Sequence, residues 1–361
     1  MASRLDDRAA RLIISLAGEP GDERVGASVA EFGAIASVEK WLSEKSTSTI
    51  AKSIKRVIDT CAVESALKAI DIVQGRFITP HDSEWPQSLD DLDVAGPVGL
   101  WVCGDSDLAA LCKPAVAIVG ARASTAYGER VASDIASHAA QENVTVVSGG
   151  AYGIDAAAHR GALAQIGSTV AVLACGVDVA YPAAHQGLLE RIKSTGLVIS
   201  EAPPGAGPHK HRFLTRNRLI AALSQSVVVV EAALRSGALS TSNWAGVLGR
   251  PTWGVPGLIT SATSAGVHHG IWESGFRIVL DVADPIRELR IDAPRHDSPA
   301  ELVIKNALLA GSRNLGEICA YLALNGDEPL ADGVHGVLGT LNVMEVRNDI
   351  IRNGDRWELP H

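Results

Sequence analysis

A chain of 361 residues exceeds one typical domain, so two or three are expected. Hydrophobic content of 47% with 35 glycines and only 20% charge excludes a disordered chain, and the Val/Ile/Ala/Gly bias with 4% aromatics points to α/β layers. A formal charge of -9 excludes nucleic-acid binding by the surface at large; any such contact has to be local.

Residues 1–75 predict a helical domain, because apolar residues recur at helical spacing in Ala9-Leu12-Ile13-Leu16, Val38-Trp41-Leu42 and Ile54-Val57-Ile58. Ten basic against eleven acidic side chains there give no electrostatic mark of a DNA module. From Arg76 to Ala115 there are two basic and seven acidic residues, with Pro, Gly and Trp interspersed. This predicts a connecting segment that ends in a short strand, Val98–Cys103, and whose acidity disfavours phosphate.

Regular alternation follows. Apolar strands are predicted at Ala115–Val119, Val144–Val147, Thr169–Leu173, Leu197–Ser200, Val227–Val230 and Thr252–Val255. Helices are predicted between them at Gly128–Glu142, Ile154–Gln165, His185–Lys193, Arg216–Ser224 and Ala238–Leu248. Six such strands imply a doubly wound parallel sheet with right-handed crossovers. Gly120–Arg122, Ser148–Gly153, Cys175-Gly176, Glu201–Gly205, Glu231 and Pro256-Gly257 each follow the C-terminal end of a strand. Those ends form one rim, where ligands bind in this architecture.

One loop on that rim, Gly205–Arg218, reads GAGPHKHRFLTRNR and holds Lys210, Arg212, Arg216 and Arg218, with no acidic residue from Ala202 to Val230. A local excess of this kind persists because fields are screened over about 10 Å at moderate salt. Cations interleaved with Phe213 suit a single-stranded nucleic acid, phosphates to the cations and a base to the ring. The competing reading is a solvated basic loop.

After Asp281 a polar linker, PIRELRIDAPRHDSP, leads to a third predicted domain at 298–361. Helices Ala300–Leu309, Leu315–Ala323 and Gly333–Met344, a strand Val346–Ile350, a turn Asn353-Gly354 and a strand Trp357–Leu359 predict a winged-helix-like unit. Its would-be recognition helix, GVHGVLGTLNVM, lacks Lys and Arg, and residues 281–361 carry 8 basic against 14 acidic side chains. A protein contact is expected there, not groove binding.

Other chemistries are weaker. AIVGARASTAYG has a strand, a Gly turn and a helix start, but it is neither GxGxxG nor GxxxxGK[ST], so no dinucleotide is expected; its amides and Arg122 suit a DNA phosphate. Asp155 and His159 stand four apart and are expected to pair, with no further ligands for zinc. Glu231 is expected to accept hydrogen bonds from the Ser236-Gly237 turn or an arginine, and Ser148, Ser200 and Ser236 lack a GxSxG elbow. Cys61, Cys103, Cys112, Cys175 and Cys319 are odd in number and without CxxC spacing, as in reduced cytoplasmic proteins. No signal peptide and no apolar run of ~18 residues is found, so a cytoplasmic protein without a membrane segment is expected.

Seven ordered blocks together resemble the DNA-processing protein A (DprA/Smf) family: VGAR followed by YG, SGGAYGIDAAAHRGAL, VAVLACGVDVAYP, GLVISEAPPG, FLTRNRLIAALS, VVVVEAALRSGALST and GRPTWGVPG, with DSEWPQSL before them. The resemblance covers about residues 75–280 firmly and both ends loosely. It implies an extended Rossmann-like core, residues 76–285, that binds single-stranded DNA without ATP, metal or other cofactor. It further implies a homodimer that loads the RecA recombinase during uptake of transforming DNA, and no enzymatic activity.

Carried over by motif, the DNA-binding residues are Arg122, Lys210, Phe213, Arg216, Asn217 and Arg218, supported by loops at Gly120, Ser148, Gly149, Gly150, Tyr152 and Gly205. This chain departs from the family in having GAR, which loses a hydroxyl beside Arg122, and Leu214 in place of a rigidifying Pro. Tyr152 replaces a cation and is expected to supply stacking, and GVHHGIW at Gly266–Trp272 replaces the usual G-x-N-x-LI. An alternative from the enzyme class is a nucleoside-monophosphate hydrolase on a related Rossmann core, whose PGGxGTxxE is absent here. Another is a protein-binding adaptor working through the acidic winged unit.

Overall fold

The computed structural model describes residues 5–43, 48–165, 167–287, 289, 299–309, 311–324, 334–346 and 350–359. Two compact units partition the chain, residues 1–293 and residues 294–361.

In the first unit, helices α1 (Asp7–Ala17), α2 (Glu23–Ser43), α3 (Thr49–Asp59) and α4 (Ala62–Ile72) come first. Ile13, Val38, Trp41, Ile54 and Val57, whose helical spacing predicted these helices, bury a small core of their own together with Ala10 and Ile14. The helices also lean on the sheet: Trp101 Nε1 donates to Ser15 Oγ at 3.1 Å, and Leu12 and Ile70 pack with Phe77 and Trp101.

Strands β1 (Gly75–Ile78), β2 (Leu100–Cys103), β3 (Ala115–Val119), β4 (Thr145–Ser148), β5 (Thr169–Leu173), β6 (Leu197–Ser200), β7 (Ser226–Val229), β8 (Thr252–Gly254) and β9 (Arg277–Ile278) form one sheet in the order β1-β2-β6-β5-β4-β3-β7-β8-β9. The run from β6 to β9 is parallel. The six predicted strands are present within three residues at each end. The segment from Arg76 to Ala115 is more than a connector: β1 and β2 pair antiparallel, and β2 adds antiparallel to β6, so it extends the sheet.

Helix α5 (Leu108–Leu111) leads into β3, and α6 (Ala126–Gln141), α7 (Ile154–Ala164), α8 (Gln186–Thr195), α9 (Lys210–Ala222), α10 (Ala238–Val247), α11 (Ala265–Glu273) and α12 (Asp284–Arg287) follow the later strands. Alternation within each strand explains why helices lie on both faces. Ala115, Ala117, Val119, Val227 and Val229 point to the side covered by α9, α10 and α11. Val116, Ile118 and Val228 point to the side covered by α6 and α7.

From β3 the chain winds outward one way to β4, β5 and β6 and the other way to β7, β8 and β9. The C-terminal ends of β3, β4 and β7 therefore flank a topological switch point, where the crossovers leave a crevice open.

The second unit holds α13 (Pro299–Leu308), β10 (Arg313–Asn314), α14 (Leu315–Leu324), α15 (Val334–Val346), β11 (Ile351–Asn353) and β12 (Arg356–Glu358), the strands ordered β10-β12-β11. Ile304, Leu308, Ile318, Leu341, Met344 and Trp357 form its core. Most of the predicted linker, and most of the strand predicted at Val346–Ile350, lie outside the described residues.

Candidate nucleic-acid interface

At the switch point opens a pocket of about 650 Å³. Buried Asp155 and Arg216 form its floor, and exposed Arg122, Tyr181, Lys210 and Leu214 stand at its rim.

The wall after β3 is the turn Gly120-Ala121-Arg122. A Cβ on Gly120 would lie 2.6 Å from Ile154 Cγ1 and 2.9 Å from the Glu231 carbonyl oxygen, so only glycine lets β3 turn this close to α7. The turn delivers Arg122, whose guanidinium lies 4.5 Å from the Phe213 ring centroid. Thr125 caps α6, its Oγ1 accepting from Gly128 N at 3.1 Å. Glu231 accepts from Thr125 N at 2.9 Å and Thr125 Oγ1 at 2.5 Å. Its role is structural, as expected, but its partner is Thr125 and not the Ser236-Gly237 turn.

The opposite wall is α9. The basic stretch is not a loop as far as Arg218: helix begins at Lys210, after Gly205–His209 has turned away from β6. Periodicity then sorts its side chains. Lys210, Phe213, Leu214, Arg216 and Asn217 share the pocket side. Arg216 Nη1 donates to the Gly149 carbonyl at 2.9 Å and to that of Val172. A Cβ on Gly149 would fall 2.4 Å from Arg216 Nη2 and 2.6 Å from Asp155 Oδ2, so a side chain there would collide with the pocket floor. Asn217 Nδ2 donates to the Gly237 carbonyl at 3.1 Å and ties α9 to the loop after β7.

Arg218 stands apart from the other cations singled out by sequence. Two positions beyond Arg216 it is rotated by about 200°, out of the pocket. It is 1% exposed, with Nη1 and Nη2 each 2.6 Å from a Glu201 carboxylate oxygen and Nε 2.6 Å from the Ala95 carbonyl. An arginine so enclosed anchors α9 and turns away from the pocket. Arg212 is likewise engaged, its Nε and Nη2 at 2.9 and 2.8 Å from Glu19. Lys210, by contrast, is exposed and makes no ion pair among the described residues.

The electrostatics of the floor are unusual. Among the described residues no carboxylate pairs with Arg216, and burial brings its pKa down to about 10, opposed by the field of Asp155. Burial raises the Asp155 carboxyl, against the field of Arg216. His159 does not pair with Asp155: its Nδ1 lies 2.8 Å from Thr169 Oγ1.

The supporting loops are distributed unevenly. Ser148 is buried, its Oγ donating to the Ile118 carbonyl at 2.6 Å, so it binds β4 to β3 and does not line the pocket. Gly150 and Gly205 have φ of 68° and 78°, and Gly205 N donates to Asp178 at 2.9 Å. Tyr152 is exposed and meets His185 edge-on at 4.8 Å. Tyr181, absent from the sequence-derived site, lies 5.5 Å from Phe213, tilted by 48°.

Residues 76–290 match the family model for DNA recombination-mediator protein A, well over half of the chain. The chain belongs to that family. A putative DNA processing protein DprA from Mycobacterium tuberculosis is 41% identical over 308 residues, covering 79% of this chain and 77% of the relative. The DNA processing protein DprA of Streptococcus pneumoniae is 41% identical over 207 residues, 57% of this chain and 72% of the relative. Its X-ray structure superposes with a TM-score of 0.67 at 28% identity, over 81% of this chain and 100% of that one. DprA from Helicobacter pylori, described for its single-stranded DNA binding mode, gives a TM-score of 0.55 at 29% identity over 61% and 97%.

The family match spans both walls and the floor of the pocket, from Val119 to Thr241. Among the described residues no helix is long and apolar enough to cross a membrane.

Proposed function

We propose that this pocket seats part of a single-stranded DNA, with Arg216, Lys210 and Arg122 as phosphate contacts and Phe213 and Asn217 shaping the site. The observation that carries the assignment is the Arg216 guanidinium, a buried cation on the pocket floor without a carboxylate partner among the described residues. Charge held in a low-dielectric wall lacks its solvation, and an arriving phosphate supplies what is missing. The N-terminus of α9 adds to this: its first turn has no acidic residue and His209 gives no side-chain cap, so amide donors stay available to an anion.

The strand preference draws support from the Helicobacter pylori relative. The family's name supports a mediator of recombination. On that reading the chain acts in the cytoplasm as a homodimer, without catalysis of its own, and passes the bound strand to the RecA recombinase. The element order of the second unit, helix, strand, two helices and a hairpin, suits a winged-helix-like module that docks protein. The hydrolase alternative is disfavoured because Glu231 has both carboxylate oxygens engaged by Thr125.

The test is fluorescence anisotropy with single- and double-stranded oligonucleotides at about 50 and about 200 mM salt. The native chain is expected to prefer the single strand. Lys210→Ala is expected to weaken binding to every sequence and reduce the slope of log K against log salt by about 0.7. A preference for duplex, or an unchanged slope in Lys210→Ala, overturns the assignment.

A further inference from the structure

The stacking surface of the pocket is a different ring from the one singled out by sequence. Arg122 already occupies one face of Phe213 at 4.5 Å, and Tyr181 lies against the same ring at 5.5 Å. A base inserted between two rings needs two contact distances of 3.5–4.0 Å, about 7–8 Å in all. The space between Phe213 and Tyr181 is therefore too narrow for one. Phe213 thus has one face covered by Arg122 and meets Tyr181 at a tilt of 48°.

Tyr181 is the more open ring of this pair. It is 38% exposed and lines the pocket. Its loop is held firmly: Gly176 N donates to the Ala206 carbonyl at 2.9 Å, Val179 N to the Gly176 carbonyl at 2.9 Å, and Asp178 receives Gly205 N at 2.9 Å. The loop is thus bonded to the segment that leads into α9, which carries Lys210 and Arg216. A ring presented rigidly beside two phosphate-binding cations loses little freedom when a base settles on it.

Resting on the single-stranded-DNA reading above, we infer that Tyr181 is the platform on which an unpaired base stacks, and that Phe213 is a positioning residue that holds Tyr181 and Arg122 in place. A base inside a duplex has both faces covered by its neighbours, so this platform also selects for unpaired strands. Stacking accepts any base, which leaves the site tolerant of sequence.

The experiment uses the full chain and oligonucleotides carrying one 2-aminopurine, whose fluorescence is quenched on stacking. Tyr181→Ala is expected to weaken binding roughly 5- to 100-fold and to abolish the quenching, with the salt slope unchanged because no phosphate contact is lost. Tyr181→Phe is expected to retain both affinity and quenching, which separates the ring's role from the hydroxyl's and from a folding defect. If Tyr181→Ala binds and quenches like the native chain while Lys210→Ala still weakens binding, the inference fails and the pocket reading stands. If the native chain binds no single strand, both fail together.

Discussion

Arg216 and Arg218 carry the same side chain two positions apart on α9 and end in opposite environments. Arg216 reaches the pocket floor with backbone carbonyls for company, whereas Arg218 is locked by Glu201 and the Ala95 carbonyl. An approaching phosphate has something to gain at the first and nothing at the second. Removing one member of a buried ion pair strands the other charge, which costs roughly 3–5 kcal/mol. Arg218→Met is therefore expected to lower stability by that amount in urea unfolding and to leave the oligonucleotide affinity of the folded protein unchanged. An affinity loss matching that of Lys210→Ala, at unaltered stability, would return Arg218 to the binding surface. Helix phase in RNRLIA turns the two arginines apart, but what each meets is set from outside the segment, for Arg218 by Glu201 and by the Ala95 carbonyl more than a hundred positions upstream.

At the scale of elements, the parallel strands were legible because both faces of each are buried, so they read as unbroken apolar runs such as VVVV. β1 was not: Gly75-Arg76-Phe77-Ile78 is four residues long, half of them only partly buried, and it precedes an acidic segment that hides its pattern. The start of α9 was hidden too, because Pro208-His209-Lys210 offers none of the Ser, Thr, Asp or Asn signals that usually open a helix. That missing cap is informative. A helix that begins with a histidine, followed by cations, forgoes stability that a carboxylate would supply and keeps its first-turn amides for an anion. His209→Asp is expected to stabilise the protein by about 0.5–2 kcal/mol in urea unfolding and to weaken single-stranded DNA binding by placing a negative charge at the pocket entrance. A variant that gained stability and kept full affinity would show that the α9 N-terminus takes no part in binding.

For the molecule as a whole, the rim was legible from topology alone, since every Gly-rich turn singled out in the sequence follows a strand. What topology left open was which charges are spent internally. Glu19 takes Arg212, Glu201 takes Arg218, and a protein of formal charge -9 is left with a small cationic pocket instead of a basic surface. The same internal accounting predicts how the first unit responds to acid. His159 is enclosed between α7 and β5; Thr169 Oγ1 donates to the Val146 carbonyl and so accepts from His159 Nδ1–H, which leaves a buried Nε2 with no partner among the described residues. Burial, reinforced by the field of Arg216, brings its pKa down from 6.5 to about 3. Unfolded chain takes up a proton at this site below pH 6.5 that the folded chain refuses until about pH 3. Stability from His159 is thus complete above pH 6.5 and falls by about 1.4 kcal/mol for each pH unit below it. Between pH 7 and pH 5 this amounts to about 2 kcal/mol. His159→Asn, which keeps a donor toward Thr169 but cannot titrate, is expected to lose about 2 kcal/mol less than the native chain over that interval in urea unfolding. Equal losses in the two proteins would mean that the imidazole accepts its proton inside the folded structure, and that α7 and β5 part readily enough to let water reach it.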